Sequence, residues 1–468
     1  MDYDLARNQA VHDSYAKNVK DFLDHYRAGE PTVVMLPGGM GSQLDRSSEA
    51  YHGQAMSFLD YSPVWLSPGV IFRGDALTLE IEQNRHDIHD FIIVPDGPMR
   101  FLIRAYEGTS RFFFDKGANY IVYGYDWRRS LAEAAVNLQS FLTSLRRAVF
   151  NHHHEDIVPR TILLCHSQGG LVAKMFLDRV QNNLSSWLDK VVTVATPFYG
   201  TYGTANHMQR YFVGESLLNI LHGAKRVAKI VGSLPGPYVL LPIDLPTWKR
   251  RQDALGLNDQ PYPVEDENRN PVDPYDTANM GAGNRYPSWM IADYLDEARD
   301  IRGAIDLELG ADAIKRIFHL RATSTNTPCR FRWRRLSADF DPDQGPCPLE
   351  PLPQEPGQAR GDGTVPYWSA RLVQAPQEQI YDIPTEAPHQ ELLENSRTLA
   401  AIWSIMTVGK KPDVDPDVED VTYAGLDAAS VNEVNAFLND AATKKIGADD
   451  TRAKEPRIWR GVVRNLLR

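Results

Sequence analysis

The stretch TILLCHSQGGLVAKMFL, from Thr161 to Leu177, passes from a short apolar run through a single serine into a helical pattern. Thr161 to Leu164 is too short for a helix and reads as a buried strand, while Leu171, Val172 and Met175 begin a helical period. A serine at such a junction, Ser167, sits on the sharp strand-to-helix corner of a nucleophile elbow. The corner forces the residues two before and two after the serine together, so both must be small; they are Cys165 and Gly169. The turn lifts the hydroxyl above the sheet and aims the first helical N–H groups, that of Gln168 included, at the atom under attack. On this stretch alone, an ordinary βα turn with a chance serine is the alternative.

Three further stretches decide against chance. LPGGMGSQL, from Leu36 to Leu44, follows the apolar run PTVVM; GDGTVP runs from Gly361 to Pro366, and PHQELLEN from Pro388 to Asn395. They bring an oxyanion loop, an acid and a histidine, with Asp362 and His389 following Ser167 in the order Ser, Asp, His. With YDWR at Tyr125 to Arg128, the set resembles the lecithin:cholesterol acyltransferase and lysosomal phospholipase A2 family, spread as islands over residues 31 to 410. Members carry a PG-x-x-G loop, YDWR, AHSMG around the serine, GDGTV around the acid and a late histidine; here Cys165 and Gln168 replace the family's alanine and methionine. The resemblance implies an α/β-hydrolase fold, a second oxyanion N–H from Gly39, and a pocket-covering segment at Trp65 and Leu66. Packing of an exposed insertion is the other account of Trp65 and Leu66.

Continuous apolar runs at Val33, Ile121, Ile162 and Val191, separated by helical patterns, predict a mostly parallel α/β sheet buried on both faces. The expected organisation is a helical arm over residues 1–28, core over 29–198, an inserted cap or lid over 199–311, core again over 312–410, then a linker and basic tail over 411–468. The arm places Leu5, Val11, Tyr15, Val19, Phe22 and Leu23 on one face, a strand-like run falls at Phe91 to Val94, and the second part of the core ends in a helix from Leu392 to Met406. In the insertion, Leu217, Ile220, Leu221, Ala224, Val227, Ala228 and Val231 fall at helical spacing opposite Lys225, Arg226 and Lys229. Leu217 and Leu221 are the residues expected to meet an apolar substrate, with a helix packed permanently on the core as the alternative.

The 468 residues, 43% hydrophobic and 24% charged, can bury a large core, and a formal net charge of −11 argues against a nucleic-acid partner. No run of eighteen apolar residues is present to span a membrane. The first twenty residues lack an apolar signal core, so the expected location is cytoplasmic, with export by a route needing no signal peptide left open. Peripheral contact with a lipid surface is compatible with the basic tail, although docking on the acidic body is the simpler account of it.

Several chemistry-bearing residues take structural readings. Asp126 and Arg128 are expected to pin a loop by ion pairing, and His152, His153 and His154 to be solvated. Asp339, Asp341, Asp343 and Glu350 have calcium-loop spacing, but Gln344 occupies the glycine position and the prolines at 346, 348, 351 and 353 forbid the following helix. No metal is expected. Cys329 and Cys347 are either thiols or a bridge, according to compartment.

The expected chemistry follows. Serine needs a base within hydrogen-bond reach and a carboxylate to hold that base in the productive tautomer, roles given to His389 and Asp362. His166 is a poorer base, because neighbours at the elbow diverge and it points beneath the nucleophile. Backbone N–H groups of Gln168 and Gly39 receive the oxyanion, and no cofactor is required. The triad pattern thus predicts a serine ester hydrolase, which the resemblance implies to be a lipase, phospholipase A or esterase for lipid or other apolar esters, or else an O-acyltransferase with the same acyl-enzyme. A noncatalytic binding protein on this scaffold is the reading from another class.

Overall fold

The computed structural model describes residues 3–47, 63–65, 79–82, 86–87, 92–98, 106–204, 224–258, 260–281, 283–337, 349–353, 360–412, 418 and 420, with 63–65 and 224–227 as backbone. Six strands make the central sheet: β1 (Thr32–Leu36), β2 (Asn119–Val122), β3 (Thr161–His166), β4 (Lys190–Val194), β5 (Ile317–Ala322) and β6 (Ile380–Ile383). They lie in the order β6-β5-β4-β3-β1-β2, and every pairing is parallel.

Alternation along each strand divides the core in two. Val34, Leu36, Leu163 and Cys165 join the packing that includes Leu138 and Leu171, whereas Val33, Met35, Ile162 and Leu164 join that of Phe113 and Ile402. Helix α1 (Tyr3–Leu23) belongs to the first layer, α2 (Glu107–Asp115) to the second, and α3 (Leu131–His153) and α4 (Gln168–Val180) to the first. The period of two therefore puts the side chain of His166 on the face of α2, with Ile162 and Leu164. Fully burying each of these leucines is worth roughly 1.5–3 kcal/mol, so neither face is dispensable.

Between β4 and β5 the chain forms α5 (Ala224–Gly232), two short helices at Pro235–Tyr238 and Leu245–Arg251, and α6 (Ala292–Asp306). Buried Arg302 of α6 ties the insertion to the end of β4, donating to the carbonyls of Pro197, at 3.3 Å, and Phe198, and also to that of Leu241 within the insertion, at 3.3 Å. Ala228, Ile230 and Val231 are buried and Lys229 is exposed. This part of the expected lid helix is packed on the core, as its alternative reading had it; Leu217 and Leu221 lie outside the described residues.

Other expectations move by small amounts. The arm is helical over Tyr3–Leu23, but Leu5, placed on its apolar face, is 64% exposed and buried Arg7 takes part in the packing instead. The strand expected at Phe91 to Val94 falls at Ile93–Pro98, in a separate antiparallel sheet with Ser42–Arg46 and Pro63–Trp65. His152 and His153 end α3 and His154 caps it in the left-handed region, all three exposed. The closing helix expected from Leu392 to Met406 divides into a 3-10 turn at His389–Glu394 and α7 (Ser396–Val408), because the Asn395 side chain accepts from the amides of Arg397 and Thr398 and starts a new helix. The aspartates of the calcium-like loop, Cys347 and the basic tail lie outside the described residues, while Glu350 pairs with Arg334 at 2.5 Å.

Candidate active site

β3 ends at His166 and α4 starts at Gln168, leaving Ser167 alone on the corner with φ 50 and ψ −124. Positive φ is unusual for a residue with a Cβ and is held only where the surroundings dictate it. Here the Ser167 amide donates to the Val194 carbonyl at 2.9 Å and its carbonyl accepts from Gly170 at 3.0 Å. The reason for a small residue at 169 differs from the expected one. A Cβ there would lie 2.5 Å from the carbonyl oxygens of Leu36 and Pro37, so the strand leading to the Gly38 loop, rather than Cys165, imposes glycine.

His389 is fixed through four of its groups. Nε2 is 2.9 Å from Ser167 Oγ, Nδ1 is 2.7 Å from Asp362 Oδ2, the backbone amide donates to the Asp362 carbonyl at 3.0 Å, and the backbone carbonyl is 3.0 Å from His166 Nε2. Asp362 Oδ1 meanwhile accepts from the amides of Thr364 at 2.9 Å and Val365 at 2.7 Å. Burial pushes the Asp362 carboxyl up, but His389 and the two amides outweigh it and hold the group below the usual carboxylate range. The structure thus brings Ser167, His389 and Asp362 into one hydrogen-bonded line, with His389 and Asp362 side chains 12% and 2% exposed.

The Gly38 loop lies against this line. A Cβ at Gly38 would stand 3.1 Å from Ser167 Cβ, and one at Gly39 3.3 Å from Gln168 Oε1, so the loop backbone runs alongside the elbow. The Gln168 side chain is fully committed: Oε1 lies 3.2 Å from the Tyr125 hydroxyl, and Nε2 donates to the Gly236 carbonyl at 3.3 Å. Tyr125 also donates to the Pro37 carbonyl at 2.9 Å, tying the YDWR segment to the loop. As the first residue of α4, Gln168 presents its N–H at the helix N-terminus beside Ser167. Trp65 pairs with Leu44 through the backbone, its side chain lying outside the described residues along with Leu66.

Two residues near the line had no role assigned from sequence. His166 is 3.1 Å from the Tyr106 hydroxyl through Nδ1, and its ring centroid is 4.9 Å from that of His389. Burial first, then the charge on His389, pushes His166 down to about 3, so it stays neutral. The period of two along β3 could have placed His166; nothing in the sequence brings Tyr106 to it. A groove of about 490 Å³ lined by Leu142, Phe150, Thr161 and Trp187 opens at the opposite, amino end of β3, away from the serine. Among the described residues no cluster of three or more histidine, cysteine or carboxylate side chains is grouped to hold a metal.

The parallel sheet, its flanking helices and the corner after β3 define an α/β-hydrolase type of fold. A chain in the crystal structure of the Tle4–Tli4 complex shares it, with a TM-score of 0.53 at 13% identity, covering 82% of this chain and 99% of that one. Residues 109–247 match the family model described as lecithin:cholesterol acyltransferase. Phospholipase A(1) LCAT3 of Arabidopsis thaliana is 22% identical over 319 residues, 64% of this chain and 68% of that protein. Over these stretches the chain is similar to lecithin:cholesterol acyltransferase-like proteins.

Proposed function

We propose that the protein is a serine-dependent carboxylic ester hydrolase acting on lipid or other apolar esters, with Ser167 as nucleophile, His389 as base and Asp362 as the orienting acid. The observation that carries this is the continuous line from Ser167 Oγ to His389 Nε2 at 2.9 Å and from Nδ1 to Asp362 at 2.7 Å. Because the carboxylate can only accept, Nδ1 carries the proton and Nε2 is left to take the one on Ser167 Oγ. The alkoxide attacks the acyl carbonyl, and the negative oxygen meets the backbone N–H groups of Gln168 and Gly39. His389 then protonates the departing alcohol, leaving an acyl group on Ser167. Water, activated by the same His389, releases the acid. The coarser reading, chemistry on lipid acyl esters, is also supported by the family match and by the name of the Arabidopsis relative.

A second reading differs only in the last step: an alcohol replaces water and receives the acyl group. The acyltransferase description of the matching family favours keeping it. Both are tested by one panel of soluble esters and phospholipids of graded chain length, with and without an added alcohol, on wild type and Ser167→Ala. Hydrolysis lost in Ser167→Ala supports the hydrolase reading, and acylated alcohol as the main product supports transfer. Unchanged turnover in Ser167→Ala rejects both. No helix among the described residues is long and apolar enough to cross a membrane.

A further inference from the structure

Beneath the serine a second hydrogen-bonded chain runs beside the first. The Gly38 amide donates to the Tyr106 hydroxyl at 2.9 Å, that hydroxyl is 3.1 Å from His166 Nδ1, and His166 Nε2 is 3.0 Å from the His389 carbonyl. The proton positions follow from what each atom can do. A carbonyl only accepts, so Nε2 carries the hydrogen; a neutral imidazole has one N–H, so Nδ1 accepts. Tyr106 therefore gives its single proton to Nδ1 and takes the Gly38 N–H on its oxygen. Each donor in the chain has one acceptor.

We propose that Tyr106 and His166 are positioning residues that lock the oxyanion loop at Gly38 and Gly39 to the backbone of His389, so that loop, base and nucleophile keep one relative geometry. This rests on the serine hydrolase reading above. A positional error of about 1 Å at such a centre costs on the order of a hundredfold in rate, and this chain spans the parts that must not drift. There is no slack in it, since a Cβ at Gly38 would lie 3.2 Å from His166 Nδ1 as well as 3.1 Å from Ser167 Cβ.

Tyr106 and His166 are both buried, at 7% and 4% exposure. Tyr106 has φ 64, a left-handed conformation that its surroundings must enforce. They do so by tying the start of α2 to the turn that begins at His389. The Gly108 amide donates to Glu394 Oε2 at 2.7 Å, and the Thr109 hydroxyl donates to the Leu393 carbonyl. The neutrality of His166 also matters, because a cation there would oppose the one that forms on His389 as it takes the serine proton.

The test separates the two ends of the chain. His166→Gln keeps a donor where Nε2 was, His166→Asn keeps an acceptor where Nδ1 was, and His166→Phe keeps neither. Tyr106→Phe removes one hydroxyl and nothing else. On a soluble short-chain ester, Tyr106→Phe, His166→Gln and His166→Asn should each lower kcat about tenfold and His166→Phe about a hundredfold, with KM within twofold of wild type. Fluorophosphonate labelling of Ser167 should slow in the same proportion, in samples whose melting temperatures are recorded. If His166→Phe does not fold, Tyr106→Phe decides, being the smallest change. A normal kcat per folded molecule in Tyr106→Phe, whether or not the melting temperature falls, overturns the proposal while loss of activity in Ser167→Ala leaves the hydrolase reading standing. Activity and labelling that survive Ser167→Ala would overturn that reading instead.

Discussion

Two buried polar clusters serve this chain, and they are built on opposite principles. In the first, Arg7 of α1, Asp87, Asp126, Arg128, Arg129 and Glu133 of α3 form a charge-balanced knot. Arg128 lies 3.0 Å from Asp87 and 2.8 Å from Asp126, Arg129 3.5 Å and 3.3 Å from the same two, and Arg7 3.8 Å from Asp126 and in contact with Glu133. Burial alone would push Asp126 up, but Arg128, Arg129 and Arg7 hold it far below the usual carboxylate range, and Arg128 is held correspondingly above its own. In the second, around Ser167, Asp362 and His389 share a line with a strained serine, His166 lies beside it, and His389 with the amides of Thr364 and Val365, rather than any arginine, holds the acid. The knot fixes charge so that none can move. The serine cluster leaves one proton with somewhere to go.

The largest effect that sharpens this contrast is a crossed pair of substitutions, Asp126→Asn and Asp362→Asn. In Asp362→Asn the carbonyl oxygen should keep the Thr364 and Val365 amides, which turns the new NH₂ toward His389 Nδ1. That ring must then accept there and carry its proton on Nε2, the wrong tautomer toward Ser167, and kcat should fall about ten-thousandfold with little change in melting temperature. Asp126→Asn leaves Arg128 buried beside less negative charge and should cost about 3–5 kcal/mol of stability, with turnover per folded molecule kept. Ester turnover normalised to folded protein, with thermal melts on both, reads the outcome. If the two substitutions gave the same pattern, the distinction between the clusters would fail.

How much of this was legible beforehand depends on distance along the chain. The apolar runs at Val33, Ile162 and Val191 gave the parallel sheet because a strand buried on both faces needs nothing but apolar side chains. Asp126 and Arg128 suggested an ion pair because one residue separates them. Their partners Arg7 and Asp87 could not be guessed, since the contact between α1 and the start of α3 is set by packing. Leu5 failed for the same reason: the helical period was right, but the buried stripe rotates to bring Arg7 to Asp126. Around Ser167, order and motif singled out Asp362 and His389, and the structure brings them together. Gly169 was explained by the wrong neighbour, because its constraint comes from the carbonyls of Leu36 and Pro37 on an adjacent strand. Tyr106 carried no signal at all, being 60 residues from His166 and standing in a conformation that periodicity does not describe.

A second way to test the contrast is acid. Burial keeps His166 and His319 neutral and pushes each down to about 3. Between that value and the ordinary histidine value of 6.5 the unfolded chain binds protons that the folded one refuses, so stability rises with pH there and is lost as pH falls. His319, on β5, has Nδ1 2.8 Å from the Thr193 hydroxyl and a ring edge-on to Phe198. It is not part of the serine line. His319→Phe should therefore flatten the acid limb of melting temperature against pH while leaving kcat near wild type. An unchanged acid limb would show that His319 does not contribute to acid sensitivity.

The smallest expected effect has the opposite sign and sits at the joint between the second cluster and α2. Glu394 accepts from the Gly108 amide at 2.7 Å, yet burial raises its carboxyl to about 7, with Glu107 adding to the shift and the amides of Gly108 and Thr109 working against it. For an acid raised above its ordinary 4.5, the folded state holds a proton that the unfolded state has released. Stability from this group is therefore complete below pH 4.5, falls as pH climbs through 7, and is level above it. The two histidines act in the opposite direction from 4.5 to 6.5, so the contribution of the glutamate is read by removing it. Glu394→Gln keeps an oxygen for the Gly108 amide and cannot ionise. It should be near neutral at pH 5 and stabilising by on the order of 1 kcal/mol at pH 8, less than the full linkage because Gln adds an NH₂ that must find an acceptor. Denaturant melts at the two pH values measure the difference. A loss of stability equal at both would mean that Glu394 acts only as a hydrogen-bond acceptor at the start of α2, and that the serine cluster has no titrating neighbour on that side.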